Sequence, residues 1–271
     1  MENITSKSNK SVKYIKSLNE RKFRLEYKQY YLEGIKVVNE LLDMYNQKAI
    51  DILSIACSYD ILNKTNGGLD IISRLEKIDN FEILNMDSDV FKSITDTVSP
   101  QGVLAVLTTP DNNVDSINID TNILILDKLQ DAGNVGTIIR TADSFDVRNI
   151  ICLDGTTDIF SPKVLRSTMA SILRVNIIFI HDSELAESIN TIKSKGYSII
   201  GTSLQTDKYI SKDILNGKCA FVVGNEANGI SEEIIKICDN LIKIPMSNSA
   251  ESLNVACATS ILLYEQFKKN K

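Results

Sequence analysis

The sequence is poor in residues that hold metals. Its 271 residues include one histidine, His181, and five cysteines, Cys57, Cys152, Cys219, Cys238 and Cys257, none at Cys-x-x-Cys spacing. That count and spacing argue against a zinc site and against a disulfide framework. Most of the cysteines sit in apolar runs, as buried inert thiols do, and the set suits a reducing cytoplasm. No apolar run approaches the roughly 20 residues that a membrane-spanning helix needs. Met1 to Lys10 is polar and carries no apolar signal core, which speaks against secretion. No Gly-x-Gly-x-x-Gly follows the strand expected at Ile123–Leu126, and there is no P-loop, so the phosphate-cradling signatures of dehydrogenases and NTPases are missing.

What is present has the balance of a globular protein, with 43% hydrophobic and 24% charged residues. The length suits one large domain or two modest ones. The net charge of −5 argues against a nucleic-acid partner, but its distribution argues the other way. Residues 1–36 hold nine basic side chains (Lys7, Lys10, Lys13, Lys16, Arg21, Lys22, Arg24, Lys28, Lys36) against four acids, a balance of +5, leaving the remainder at −10. A basic end on an acidic body attracts phosphates locally. On charge alone a solvated helix face is the commoner explanation.

Hydrophobic periodicity divides the chain near Pro110–Thr121, a polar, acidic, turn-rich stretch. Before it, helices are expected at Ser11–Lys22, Gly34–Met44 and Leu69–Ile78. Strands are expected at Tyr30–Leu32, Ile50–Ala56, Phe81–Leu84 and Val103–Leu107. After it, strands at Ile123–Leu126, Ile150–Leu153, Val175–Phe179, Ser198–Gly201, Ala220–Val223 and Leu241–Ile244 alternate with helices. Those helices are expected at Val135–Phe145, Val164–Leu173, Glu184–Lys195, Glu232–Ile237 and Val255–Phe267. The fold class is α/β, with a small amino-terminal unit at residues 1–110 and a mostly parallel sheet, covered on both faces, at residues 118–271. Ligands on such sheets bind at the carboxyl ends of strands.

Three loops at such ends are rich in small and polar residues. Asp127–Ala142 runs from a strand into a helix. Asn134 reads there as the N-cap, Gly133 and Gly136 as turn residues, and Arg140 as pointing away from the apolar face of Val135, Ile138, Ile139 and Ala142. In Phe221–Ser231, Gly224 would let a ligand approach the backbone, Glu226 sets a carboxylate at the strand end, and Ser231 caps the next helix. In Ile244–Ser260, a polar loop with Ser252 and Asn254 leads into a helix of small residues. Each loop alone also reads as an ordinary strand–turn–helix link.

Together the three resemble the signature motifs of the SpoU (TrmH-like) family of RNA 2′-O-ribose methyltransferases, in the SPOUT superfamily. The matching stretches are Asn134–Ala142, Val222–Ile230 and Ile244–Val255, in the family's order, within a resemblance covering residues 122–268. Residues 8–108 resemble, more weakly, the ribosomal-protein-like RNA-binding domain often fused in front. Ala132 stands where the family usually has Pro, and Asp146 and Ala170 where it usually has Gly, which bears on loop shape.

The resemblance implies a trefoil knot near the carboxyl end, S-adenosyl-L-methionine as cofactor, and a homodimer with the active site near the subunit interface. By position, Thr202, Ser203, Leu204, Gly224, Ile244, Met246 and Leu253 would line the donor pocket. Asn134, Arg140, Glu226, Ser252 and Asn254 carry over as catalytic or substrate-orienting residues. The RNA partner is ribosomal RNA by this reading, with transfer RNA the alternative. Methylation of a base, and RNA binding without catalysis, are the competing functions. The family often assigns Arg140 the role of base, but a guanidinium stays protonated, so a clamp on phosphate and developing alkoxide charge is the other role open to it.

Overall fold

The structure, a computed structural model, describes residues 2–247 and 252–269. It comprises two compact units, one of Met1–Thr109 with Phe160–Ala170, the other of Pro110–Ile159 with Ser171–Lys271.

The first unit begins with β1 (Glu2–Ile4), α1 (Lys10–Ser17), α2 (Arg21–Tyr27), β2 (Gln29–Glu33) and α3 (Ile35–Asn46). It continues with β3 (Ser54–Cys57), α4 (Tyr59–Leu62), α5 (Gly68–Leu75), β4 (Glu82–Met86), α6 (Ser88–Ile94) and β5 (Val103–Thr108). Its sheet has the order β1-β4-β3-β5-β2, with β5 antiparallel to both neighbours. Val12, Ile15 and Leu18 pack with Phe91, Ile94, Leu104 and Val106 in the core.

The helix expected over Ser11–Lys22 is two helices. The Asn19 amide donates to the Lys16 and Ile94 carbonyls at 3.1 and 2.9 Å, and buried Arg24 donates to the Leu18 carbonyl at 2.6 Å. These side chains take the carbonyls that a continuous helix would use, so the chain turns. The three-residue β1 and the short α4 and α6 were too brief to leave a periodic signal.

In the second half the order is β6 (Ile123–Asp127), α7 (Ala132–Ser144), β7 (Asn149–Leu153), α8 (Pro162–Thr168), β8 (Asn176–Ile180), α9 (Leu185–Ser194), β9 (Tyr197–Thr202), β10 (Lys218–Gly224), α10 (Glu232–Ile237), β11 (Asn240–Ile242) and α11 (Val255–Lys269). Of these, α8 belongs to the first unit. The second unit's sheet, β11-β9-β10-β6-β7-β8, is parallel throughout. Every residue of β6 and β7 is buried, the pattern of strands covered on both faces. One face packs Ile125, Ile151 and Val222 against Ile189, Ile192 and Ile234 from α9 and α10. β11 ends at Ile242, so Ile244, expected inside the strand, lies beyond it.

Two family glycine positions keep a left-handed backbone here without glycine. Asp146 has φ +59° and Ala170 φ +73°. Asp146 accepts a hydrogen bond from Arg148 Nε at 2.8 Å, and aspartate tolerates this conformation; alanine gains nothing comparable.

Candidate active site

The parallel register sets the carboxyl ends of β6 and β10 side by side, with Gly224 opposite Asp127. Two loops leave from there, one into α7 and one toward α10. The helix start differs from the sequence reading. The N-cap of α7 is Asp131, whose side chain accepts from Asn134 N at 2.8 Å, and Gly133 and Gly136 lie inside the helix. Asn134 therefore sits in the first turn with its amide free for other work.

That amide joins three loops. Asn134 Nδ2 donates to Glu226 Oε1 at 3.1 Å, and Asn134 Oδ1 accepts from Asn254 Nδ2 at 3.0 Å. Glu226 also accepts from the backbone of Gln130 and Asp131 at 3.2 and 3.1 Å. Asn254 Oδ1 accepts from Ala256 N and Cys257 N at 2.9 and 3.3 Å, so it caps α11 while its amide nitrogen reaches Asn134. Partial burial alone would raise the pKa of Glu226; the Asn134 amide and the backbone donors outweigh it and hold the carboxyl below its ordinary range.

The Glu226 loop is closed by its own residues. Asn225 Nδ2 donates to the Lys128 carbonyl at 2.9 Å, while Asn225 Oδ1 accepts from Ala227 N and Asn228 N at 3.0 and 3.1 Å. Ser231 starts α10 without a side-chain cap bond; instead its N–H donates to buried Asp127 Oδ2 at 2.6 Å. A Cβ at Gly224 would lie 2.2 Å from Gly229 C and Ile230 N. The space expected there for a ligand is filled by the loop's own backbone. Asn225, Asp127 and the backbone of Gln130 and Asp131 escaped the sequence reading. For Asn225 the only signal was its place between Gly224 and Glu226.

Arg140 is exposed on α7. Six residues beyond Asn134, it stands about 9 Å further along the helix and roughly 120° round its axis. Among the described residues no hydrogen bond joins the Arg140 side chain to the Asn134–Glu226–Asn254 cluster. Ser252 is exposed, two residues before Asn254. Residues 248–251, within the third motif, lie outside the described residues.

Of the residues expected to hold the donor, Thr202 to Leu204 lie at the end of β9, Gly224 ends β10, Ile244 and Met246 follow β11, and Leu253 precedes α11. Thr202 Oγ1 donates to the Val222 carbonyl at 3.1 Å, and Ser203 N to the Ile242 carbonyl at 2.9 Å. Ile244 and Met246 are half-buried, and Leu204 and Leu253 are 58% and 38% exposed. Open apolar side chains beside strand-end backbone groups suit a flat purine with a polar tail, which fits S-adenosylmethionine.

Among the described residues no group of three or more His, Cys, Asp or Glu is placed to hold a metal. His181 is exposed and bonds Asp154 at 3.0 Å. Burial pushes the Cys57 thiol up to about 12 and Cys219 and Cys238 to about 11, which leaves them inert.

Comparison with known proteins decides the family. The SpoU rRNA methylase family model matches residues 121–264, and an MRM3-like substrate-binding domain model matches residues 9–105. The chain belongs to the SpoU rRNA methylase family. It is 31% identical over 264 residues to the 23S rRNA (guanosine(2553)-2′-O)-methyltransferase RlmP of Bacillus subtilis, covering 97% of this chain and 98% of that one. An rRNA methyltransferase from Sinorhizobium meliloti has the same fold, with a TM-score of 0.83 at 26% identity over 98% of this chain and 97% of that chain. A structure of an rRNA methyltransferase from S. meliloti with S-adenosylmethionine bound gives 0.80 at 28% identity over 98% and 97% of the two chains.

Proposed function

We infer that this S-adenosylmethionine-dependent SpoU methyltransferase methylates a ribose 2′-hydroxyl in the large-subunit ribosomal RNA. The observation that carries the reading is the Asn254–Asn134–Glu226 chain of hydrogen bonds, built from all three motifs. Its RNA assignment is supported by the relative that matches this chain nearly end to end.

The bound donor supplies an electrophilic methyl group on a sulfonium. The chain's own residues must place the hydroxyl and manage its proton. Glu226, held ionised by three donors, is a weak base, so its part is to fix the Asn134 amide. Each asparagine amide has a second N–H to offer, and together with Ser252 they form a polar floor for the ribose. Thr202, Ser203, Leu204, Ile244, Met246 and Leu253 hold the donor, and Gly224 contributes by letting the Glu226 loop close. Arg140 clamps the neighbouring phosphate and offsets developing alkoxide charge.

Arg140 acts in the site of a second copy, because its own chain carries it away from Asn134. A homodimer is supported by α11, where Cys257, Ile261 and Tyr264 form an exposed stripe at helical spacing. The trefoil knot belongs to the same reading. It is supported by β11 joining the outer edge of β9 and by the bonds Ile210 N to Lys243 O and Lys243 N to Lys208 O, which lace the segments after both strands. No helix among the described residues is long and apolar enough to cross a membrane, and a cytoplasmic location follows from the ribosomal substrate.

The test is a map of ribose methylation in ribosomal RNA from cells with and without this protein. One 2′-O-methyl group in the large-subunit RNA should vanish without it. An unchanged map, with transfer RNA losing a methyl instead, would overturn the substrate.

A further inference from the structure

The amino-terminal helices carry an aromatic group outside the donor and ribose sites. Phe23 and Tyr27, one helical turn apart on α2, stack with centroids 5.9 Å apart and planes at 27°. Tyr14 of α1 lies 5.7 Å from Tyr27 and donates its hydroxyl to Gln29. Tyr27 is 38% exposed and neighbouring Leu25 66%. Lys22 Nζ sits 5.5 Å from the Phe23 ring centre.

The same stretch of chain is dense in cations. Lys7, Lys10, Lys13, Lys16, Arg21, Lys22 and Lys28 are all exposed, and none forms an ion pair among the described residues. Only Glu20 and Glu26 oppose them in this stretch. Such a set is costly to cover with an ordinary protein surface, which would desolvate unpaired charges. A polyanion satisfies them by releasing its counterions. The rings add a preference within that class, since bases inside a duplex hide their faces while a splayed base offers one to an aromatic side chain.

We propose that Tyr14, Phe23 and Tyr27 form a stacking platform for an unpaired base of the RNA substrate, with the free lysines and Arg21 holding its phosphates. This rests on the reading of the chain as an RNA methyltransferase and adds that its amino-terminal unit recognises a single-stranded element beside the target. Tyr27 is the ring most open to a base. Tyr14 and Phe23, half-buried, pack against it.

The test uses the full-length protein, a short unstructured RNA carrying one 2-aminopurine, and a hairpin RNA of equal charge. Wild-type protein should prefer the unstructured RNA and quench the 2-aminopurine. Tyr27→Leu keeps the bulk but removes the ring, and should weaken unstructured-RNA binding about tenfold and abolish the quench. Tyr27→Phe should restore both. The salt slope of binding should stay unchanged in Tyr27→Leu and become shallower in a Lys10→Ala, Lys13→Ala, Lys22→Ala triple variant. Equal affinity of Tyr27→Leu and wild type for the unstructured RNA, or a wild-type preference for the hairpin, would overturn the platform. Donor binding and methylation of ribosomal RNA by wild type, measured in parallel, separate that failure from a failure of the methyltransferase reading.

Discussion

Asn254 donates its side-chain amide to Asn134 Oδ1 at 3.0 Å, across 120 positions of sequence. The bond fixes which way the Asn134 amide faces, and so turns its nitrogen onto Glu226. Three motif residues thereby act as one unit, and changes within that unit should not add.

Asn134→Ala should therefore preserve the fold and donor binding while lowering single-turnover methylation by about 10²-fold. Asn254→Ala should lose activity too, and also weaken the start of α11, which it caps. The double variant should be scarcely worse than Asn134→Ala. Rates that multiply across the two sites would mean that they act independently.

The placement of Arg140 makes a sharper test. Arg140→Ala and Asn134→Ala, each nearly inactive alone, should recover activity when mixed and allowed to exchange subunits. The mixed dimer would hold one complete site, with Arg140 from one copy and Asn134 from the other. Failure to recover, with exchange demonstrated by mass spectrometry of the mixed dimer, would return Arg140 to its own chain's site.

Glu226 gives a pH prediction. Its folded pKa is depressed below its unfolded value, so the stabilisation it contributes is present above the ordinary carboxylate range and is lost as pH falls through the folded pKa. Carboxylate NMR should report a titration below that of a free glutamate. In Asn134→Ala it should move upward, because the leading donor opposing burial is gone. An unmoved titration would break the link between the two side chains.

Two backbone positions separate strain from need. Ala170→Gly removes a left-handed alanine costing about 1–2 kcal/mol and adds back roughly 0.5–1 kcal/mol of unfolded-state entropy. Urea denaturation should show a net gain of about 0.5–1 kcal/mol. Asp146→Gly should gain nothing, since it also forfeits the bond from Arg148.

Gly224→Ala should be severe, at about 3 kcal/mol or more, because its Cβ would meet backbone 2.2 Å away. Thermal melting and donor titration should both register the loss. A variant that melts and binds as wild type would mean that the Glu226 loop can open without cost.

The strands of the parallel sheet were legible because residues buried on both faces leave unbroken apolar runs, as in Ile123–Leu126 and Ala220–Val223. The motif loops were legible as chemistry but less so as geometry. Asn134 looked like a cap because glycines flank it closely. Asp131 takes that role three residues earlier, and no periodicity distinguishes two cap-forming residues so close together. The purpose of Gly224 was likewise hidden, since what fills the space beside it comes from Gly229 and Ile230, whose approach only the folded turn creates. Arg140 was correctly read as pointing outward. Its separation from Asn134 follows from helix pitch once the helix start is known.

The hydrogen-bonded trio also sets a timetable for the enzyme's birth. Translation delivers Asn134 first, Glu226 92 residues later, and Asn254 a further 28 residues on. The first unit, which takes in Phe160–Ala170, can be complete before Asn254 leaves the ribosome. Until then Asn134 can bond Glu226 but lacks the donor that turns its amide, so the three-motif unit is complete only once Asn254 has emerged.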